Sequence, residues 1–267
     1  LHCSHEDHAT GVHIGVVSVA CAASLAAVWT AEAVLPMFGT GTVRHRIRNL
    51  ALGVMNALVA GAVLGGVTAW AATVAHKHGL GVLRQFALPW WGAMAVAFVL
   101  LDFWQYAFHV AAHHVPFLWR LHAVHHHDEQ VDATTAMRFH TGEVLIVGLC
   151  TVPVVVLLGL DVSHLLIYHS VLLPLAIFHH ADVRLPRRLD RALGACIVTP
   201  RMHWVHHSSW QPETDSNFSA VLPWWDRLLG TYRPCRDPSA IRFGLGGFTG
   251  WEKTTIAGML ATPFGAS

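Results

Sequence analysis

Polar and apolar residues are segregated along this chain into long blocks. Val12–Phe38 is an apolar run broken only by Glu32 near its end, and a membrane-spanning helix needs about 20 such residues. A short loop follows with Arg44, Arg46 and Arg48. Leu50–Ala75 is a second run, and its GAVLGG stretch at 61–66 predicts close packing against another membrane helix. Ala87 to about Phe108 is a third, opening on Trp90 and Trp91, where an interfacial aromatic belt would lie. Val144–Leu160 and Val162–Phe178 are shorter, near the lower limit for a crossing.

This pattern predicts an all-α, multi-pass membrane bundle. Three long spans precede a pair that is either two thin crossings or one re-entrant hairpin, and both versions return the chain to the same side. Residues 117–143 and those after Ala181 are too polar for lipid and predict a helical cap. Within that cap LPRRLDRALG reads as an amphipathic interfacial helix, and Trp224-Trp225 either rests on the membrane or closes a site. Leu1–Thr10 is polar and His-rich, lacks the basic region of a secretory signal, and reads as a solvated tail. No repeat or boundary divides the chain, so one membrane domain is expected over 1–267, with a chemical core at about 102–232.

Composition agrees. Only 12% of residues are charged and 54% are apolar, against about 25% charged in soluble domains. The net charge of +1 says nothing of partners, and no basic block points to nucleic acid, which is not expected as one. Five scattered cysteines (Cys3, Cys21, Cys150, Cys196, Cys235) form no CxxC and read as buried thiols. Arginines concentrate in the loop at 39–49, in 117–142 and after 181, which places those three segments on the cytoplasmic side.

Those same segments carry the chemistry. His109 and His113 are four residues apart, on one helical face. His122, His125 and His126 form HxxHH, and His203, His206 and His207 repeat it. Imidazole ligates metals in its neutral form and suits zinc, copper, iron and nickel alike. Eight such histidines exceed the needs of one ion. Adjacent residues on a helix point about 100° apart, so His125 and His126, or His206 and His207, would address different ions of a pair, while partners three and four apart would converge. Asp102 lies two turns before His109 inside a membrane helix, a costly place for an acid, and is expected to orient a box histidine. Asp128, Glu129, Asp132 and Glu143 are weaker candidates of that kind. Phe103, Trp104, Phe108, Phe117, Trp119 and Trp204 are candidate lining. His13, His45, His76 and His78 read as interfacial anchors, and His164 and His169 as hydrogen-bonded structural residues.

DFWQYAFHVAAHH, LWRLHAVHHHDEQVDATTAMRFHTGE and TPRMHWVHHS followed by DSNFSAVLPWWDRLLGTY resemble the three ordered boxes of the fatty acid hydroxylase superfamily, the sterol desaturase group in particular. The resemblance covers about Asp102–Tyr232. It implies a membrane oxygenase whose two iron ions use O2 and external electrons to hydroxylate or desaturate a lipid-like or sterol substrate. The eight box histidines would be ligands. FHHADVRLP resembles a further family stretch and implies a ninth, His180, although Asp182 stands where Asn is common. Val110 likewise occupies a position often held by Arg. His140, in a matching TxxRxH context, and His179 would be additional ligands or supports. Zinc can replace iron in purified protein of this kind. The resemblance also implies a separate electron donor of cytochrome b5, ferredoxin or reductase type. Two other readings compete. A membrane zinc hydrolase needs only three ligands and water, and a metal transporter would place its ligands at mid-bilayer depth.

Overall fold

In lipid every backbone N–H and C=O must be satisfied internally, so the apolar blocks fold as helices. A computed structural model describes residues 3–39, 41–246 and 250–264, with side chains described from residue 19 onward except at 252 and 253. Six helices come first: α1 (Cys3–Val34), α2 (Val43–Lys77), α3 (Trp90–His114), α4 (Pro116–His126), α5 (Thr141–Leu158) and α6 (Val162–His180). Short ones follow: α7 (Arg187–Leu193), α8 (Pro200–His206), α9 (Gln211–Thr214), α10 (Trp224–Leu228), α11 (Gly250–Thr254) and α12 (Ile256–Ala261). No named strand occurs among the described residues. Helices α2, α3, α5 and α6 are each long and apolar enough to cross a membrane. Their exposed Val54, Leu58, Trp70, Leu149 and Leu157 form a lipid-facing surface.

Sequence chemistry sets the breaks. Pro116 has no N–H to continue α3 and instead opens α4 at its first turn, where no N–H is needed. Gly159 ends α5 in the left-handed region (φ 74°), and Asp161 caps α6. Gly81 (φ 113°) packs against that turn so closely that an added Cβ would lie 2.2 Å from Gly159 Cα. The GAVLGG stretch does pack closely on another membrane helix, but through Leu64 against Gly148 of α5, and not through its own small residues: a Cβ added at Gly61, Gly65 or Gly66 would meet nothing within 4 Å. Residues 3–10 are helical backbone, continuous with α1; their side chains, on which the solvated-tail reading turns, lie outside the described residues, as do those of His2 and His13.

Leu101, Val155, Leu160, Leu165, Tyr168 and Leu172 form the core joining α3, α5 and α6. The ends of α1, α3 and α6 and the starts of α2 and α5 meet at one end of the bundle. Glu32 of α1 accepts from Ala133 N (2.8 Å) and Asp182 N (3.0 Å). Arg46 of α2 bridges Glu32 (3.2 Å) and Asp132 (2.9 Å). His45 is buried against Asp128 (2.8 Å), not an interfacial anchor: the polar segment after α4 folds back onto α2 and covers it. Burial opposes ionisation of Asp128, yet Arg138 and His45 outweigh it and hold the carboxyl well below its usual range. The thiols also differ from expectation. Cys150 and Cys196 are exposed and Cys21 and Cys235 half-buried, because they fall on outward faces of their segments.

Candidate metal centre

The helical pair α5–α6 brings the chain back to the end where α3 leaves it, so all the histidine boxes meet. They divide into two sets. His109, His113, His122, His126 and His206 form the first, and His125, His180, His203 and His207 the second; within each, one ligand atom per residue lies within 4.8 Å of every other. The helical step explains why the adjacent pairs split, one member to each set. The i, i+3 pairs His122/His125 and His203/His206, expected to converge, split as well, because their offset of about 60° is enough to aim them at different sets. Only the i, i+4 pairs share a set: His109/His113, His122/His126 and His203/His207. The sets are neighbours, with the His126 and His207 rings stacked at 4.6 Å between centroids.

Acceptors on Nδ1 fix the tautomers. In the first set, Nδ1–H of His109 donates to Phe218 O (2.8 Å), that of His206 to Ser216 O (2.8 Å), that of His122 to Glu143 (2.7 Å) and that of His113 to Asp215 (3.2 Å). In the second, His125 donates to Arg138 O (3.2 Å) and His180 to Ala176 O (2.7 Å). A neutral imidazole that donates from Nδ1 carries only a lone pair on Nε2. Yet Nε2 of His109 faces Nε2 of His122 at 3.2 Å, and Nε2 of His125 faces that of His180 at 3.1 Å. His180 and His203 approach to 2.9 Å, and His203 and His207 to 3.2 Å. In the pairs His109/His122 and His125/His180, whose Nδ1–H groups are already donated, lone pairs converging at these distances repel unless a cation lies between them. Nitrogens bound at about 2.1 Å to one ion, at right angles, are about 3.0 Å apart. Nε2 of His113 and His206 and both ring nitrogens of His126 are buried without a hydrogen-bond partner, as free ligand atoms would be.

Protons do not fill this role. Burial, reinforced by the neighbouring imidazoles, pushes His125, His126, His203, His206 and His207 well below the ordinary histidine range. They are neutral at pH 7, the ligating state. The donor set fits two metal ions. The surroundings differ between the sets: the first rests on two carboxylates, Glu143 and Asp215, whereas the acceptors of the second are backbone carbonyls. Rings wall the sets off, with Phe139 stacked on His125 (4.3 Å), Phe218 against His113 (5.0 Å) and Trp119 against His113 (5.0 Å).

Several expectations need correction. Asp102 touches no box histidine. Its buried carboxylate accepts from Tyr168 Oη (3.1 Å), Val221 N (3.2 Å), Leu222 N (3.0 Å) and Trp225 Nε1 (2.8 Å), tying α3 to α6 and the segment before α10. His140 lies outside both sets and is used up as a cap: Nδ1 accepts from Gly142 N (2.9 Å), and Nε2–H donates to Leu260 O (3.1 Å). His179 also stands outside, its ring 4.1 Å from that of His203. Trp204 is packing: it is buried, donates to Ala181 O (3.1 Å) and meets Phe38. Phe117 is exposed, and Phe103 packs on Trp225. Asp182, the departure from the family stretch, accepts from Met37, Phe38 and Gly39 N–H through both oxygens (2.7–2.9 Å), and so needs a carboxylate. Asp215 and Phe218 are additions to the expected site. Their only sequence signal is the DSNF stretch just after the third box. Asp226 supports that stretch, accepting from Phe218 N (2.8 Å) and Ser219 N (3.0 Å).

Residues 94–231 match the family model described as fatty acid hydroxylase. The chain is 30% identical to an ornithine lipid hydroxylase from Rhizobium tropici over 64% of its length and 50% of the relative's. It is 31% identical to an alkylglycerol monooxygenase from Danio rerio over 60% of this chain and 34% of that one. It is 27% identical to a cholesterol 25-hydroxylase from Homo sapiens over 53% of this chain and 51% of that one. The chain thus spans about half or less of the length of these relatives. No solved structure matches it significantly. The family match covers more than half of the sequence and all nine clustered histidines, and the chain belongs to the fatty acid hydroxylase family.

Proposed function

We propose that this protein is a membrane-bound, non-haem di-iron oxygenase that hydroxylates a C–H bond of a lipid-like substrate. The observation that carries the reading is the pair of adjoining, buried, neutral imidazole sets at one end of a membrane bundle. Each set would hold one iron ion. The names of the relatives, an ornithine lipid hydroxylase, an alkylglycerol monooxygenase and a cholesterol 25-hydroxylase, support hydroxylation of lipids over desaturation. The reaction consumes O2, two electrons and two protons, and yields the alcohol and water.

When bound, the iron pair supplies oxygen activation and electron transfer. The protein's residues supply the setting. Phe218 O, Ser216 O, Arg138 O and Ala176 O hold the rings in one tautomer, and Glu143 and Asp215 add electron density to the first set. Trp119, Phe139 and Phe218 exclude water from the reacting centre. In this reading electrons come from a donor of cytochrome b5, ferredoxin or reductase type. The arginine-rich metal end faces the cytoplasm. Exposed Cys196 reports on this: it is modified by an impermeant maleimide from the cytoplasmic face, and labelling only from the outer face reverses the orientation.

The test of function is expression in a host lacking the gene, with lipid extracts analysed after growth under 18O2. A lipid gaining one 18O atom, absent in the His203→Ala strain, is expected. Unlabelled hydrolysis products dependent on zinc would overturn the proposal in favour of a hydrolase.

A further inference from the structure

Apart from the histidine sets, a groove of about 380 Å³ lies between α7 and the segment following α10. Five arginines line it, Arg187, Arg191, Arg201, Arg227 and Arg236, against a single carboxylate, Asp190. Asp190 is already paired with Arg201 (Oδ2 to Nε, 3.3 Å). Arg227 is held rigidly, donating to Pro223 O (3.1 Å) and Gly194 O (2.7 Å) with its guanidinium over the Tyr232 ring. The groove therefore carries a strong net positive field with fixed donors, which suits a phosphate.

A second observation is independent of charge. Thr199 lines the groove, is 1% exposed, and its hydroxyl has no hydrogen-bond partner. Oδ1 of Asp190 is likewise buried without a partner. Unpaired buried polar atoms are rare and call for a ligand or water. Together the groove offers guanidinium and hydroxyl donors to a phosphate and one acceptor to a hydroxyl or ammonium beside it.

Its position decides which phosphate. Trp225 bonds to Asp102 and packs on Phe103, and Tyr106 bonds to Thr231 (3.0 Å). The segment that supplies Arg227 and Tyr232 to the groove is thus tied to membrane helix α3, one to two turns before His109. Trp224, Leu228 and Leu229 are exposed on the same segment, on either side of Arg227. Arginines beside an exposed apolar rim at a helix end match the headgroup layer of a bilayer. We propose that this groove binds the phosphate of a glycerophospholipid headgroup, with the acyl chains lying against Trp224, Leu228 and Leu229. Met202, also in the lining, precedes His203, so the bound lipid lies beside the third histidine box. The inference rests on the groove and holds whichever reaction the metal sets perform.

The test is calorimetric titration of the full chain in neutral detergent with dihexanoyl phosphatidylglycerol, dihexanoyl glycerol and inorganic phosphate. Saturable binding of the phospholipid is expected, with none of the diacylglycerol and at least tenfold weaker binding of inorganic phosphate. The variant Arg191→Ala/Arg236→Ala should weaken the phospholipid at least tenfold, and Thr199→Val several-fold. Arg44→Ala/Arg120→Ala, which removes the same charge from exposed positions elsewhere, should change it less than twofold. Should the double variant fail to fold, Arg236→Ala alone, at an exposed position, replaces it. Equal weakening by the control pair, or no weakening by the groove variants, overturns the site. Inorganic phosphate binding as tightly as the phospholipid overturns the lipid assignment. So does salt-sensitive capture of an acidic electron carrier, lost in the groove variants, without lipid binding.

Discussion

Glu143→Gln isolates the contribution of one carboxylate to one half of the centre. Glu143 is buried and accepts from Nδ1–H of His122 at 2.7 Å. Glutamine keeps the size and one acceptor oxygen, so the ring retains its tautomer, but the bond loses its ionic character. A hydrogen bond to a charged group contributes about 1.5–3 kcal/mol against about 1 kcal/mol for a neutral one. The difference, about 0.5–2 kcal/mol, corresponds to roughly two- to thirtyfold in the affinity of the ion held by the first set, overlapping the roughly 10–100-fold span of outer-sphere substitutions. No member of the second set bonds to Glu143, so its ion should be unaffected. Competition with a graded series of chelators, read by metal analysis, resolves the two. Equal weakening of both ions, or of neither, would refute the assignment of Glu143 to the first set alone.

Other outcomes follow from the same structure. Asp102→Ala strands the Tyr168 hydroxyl, two backbone N–H groups and the Trp225 indole; at about 1–3 kcal/mol for each buried unsatisfied group, thermal unfolding in detergent should fall by many degrees, while an unchanged midpoint would show these bonds to be dispensable. Gly81→Ala places a methyl group against the Gly159 backbone at a positive φ and should cost at least about 1–3 kcal/mol, read by the same assay. Protein stripped of metal should lose stability as pH falls below about 6.5: the buried histidines stay neutral in the fold while the unfolded chain takes up protons, at up to about 1.4 kcal/mol per pH unit for each. Thermal scans between pH 5.5 and 7.5 check this, and a flat profile would contradict the burial of neutral imidazoles.

The spans α2, α3, α5 and α6 were legible because apolar blocks in lipid have one solution, the helix, whereas of the expected first span, Val12–Phe38, the described apolar helix is only Val19–Val34; the meeting of the boxes followed from the chain's return to one side. The separation of His125 from His126 and of His206 from His207 was legible from the 100° step between helical neighbours. What supports the rings was not. Four of the Nδ1 acceptors are backbone carbonyls, of Phe218, Ser216, Arg138 and Ala176, which carry no residue signature. Asp102 misled because its helical phase with His109 is real, but the chain after the third box returns with two N–H groups and an indole that claim the carboxylate first. His140 misled similarly, since a histidine beside a helix start can serve as a cap, and its box-like context did not distinguish that use. The arginine groove shows in the sequence only as one face of an amphipathic segment, because its far wall comes from residues about 40 positions later.

Metal content of the purified chain tests the central claim most directly, measured by mass spectrometry for the wild type and for His125→Ala/His180→Ala. The account predicts two ions per chain in the wild type and one in the variant, which keeps all five histidines of the first set and only two of the four in the second. One ion in the wild type, or two still held by the variant, would contradict it.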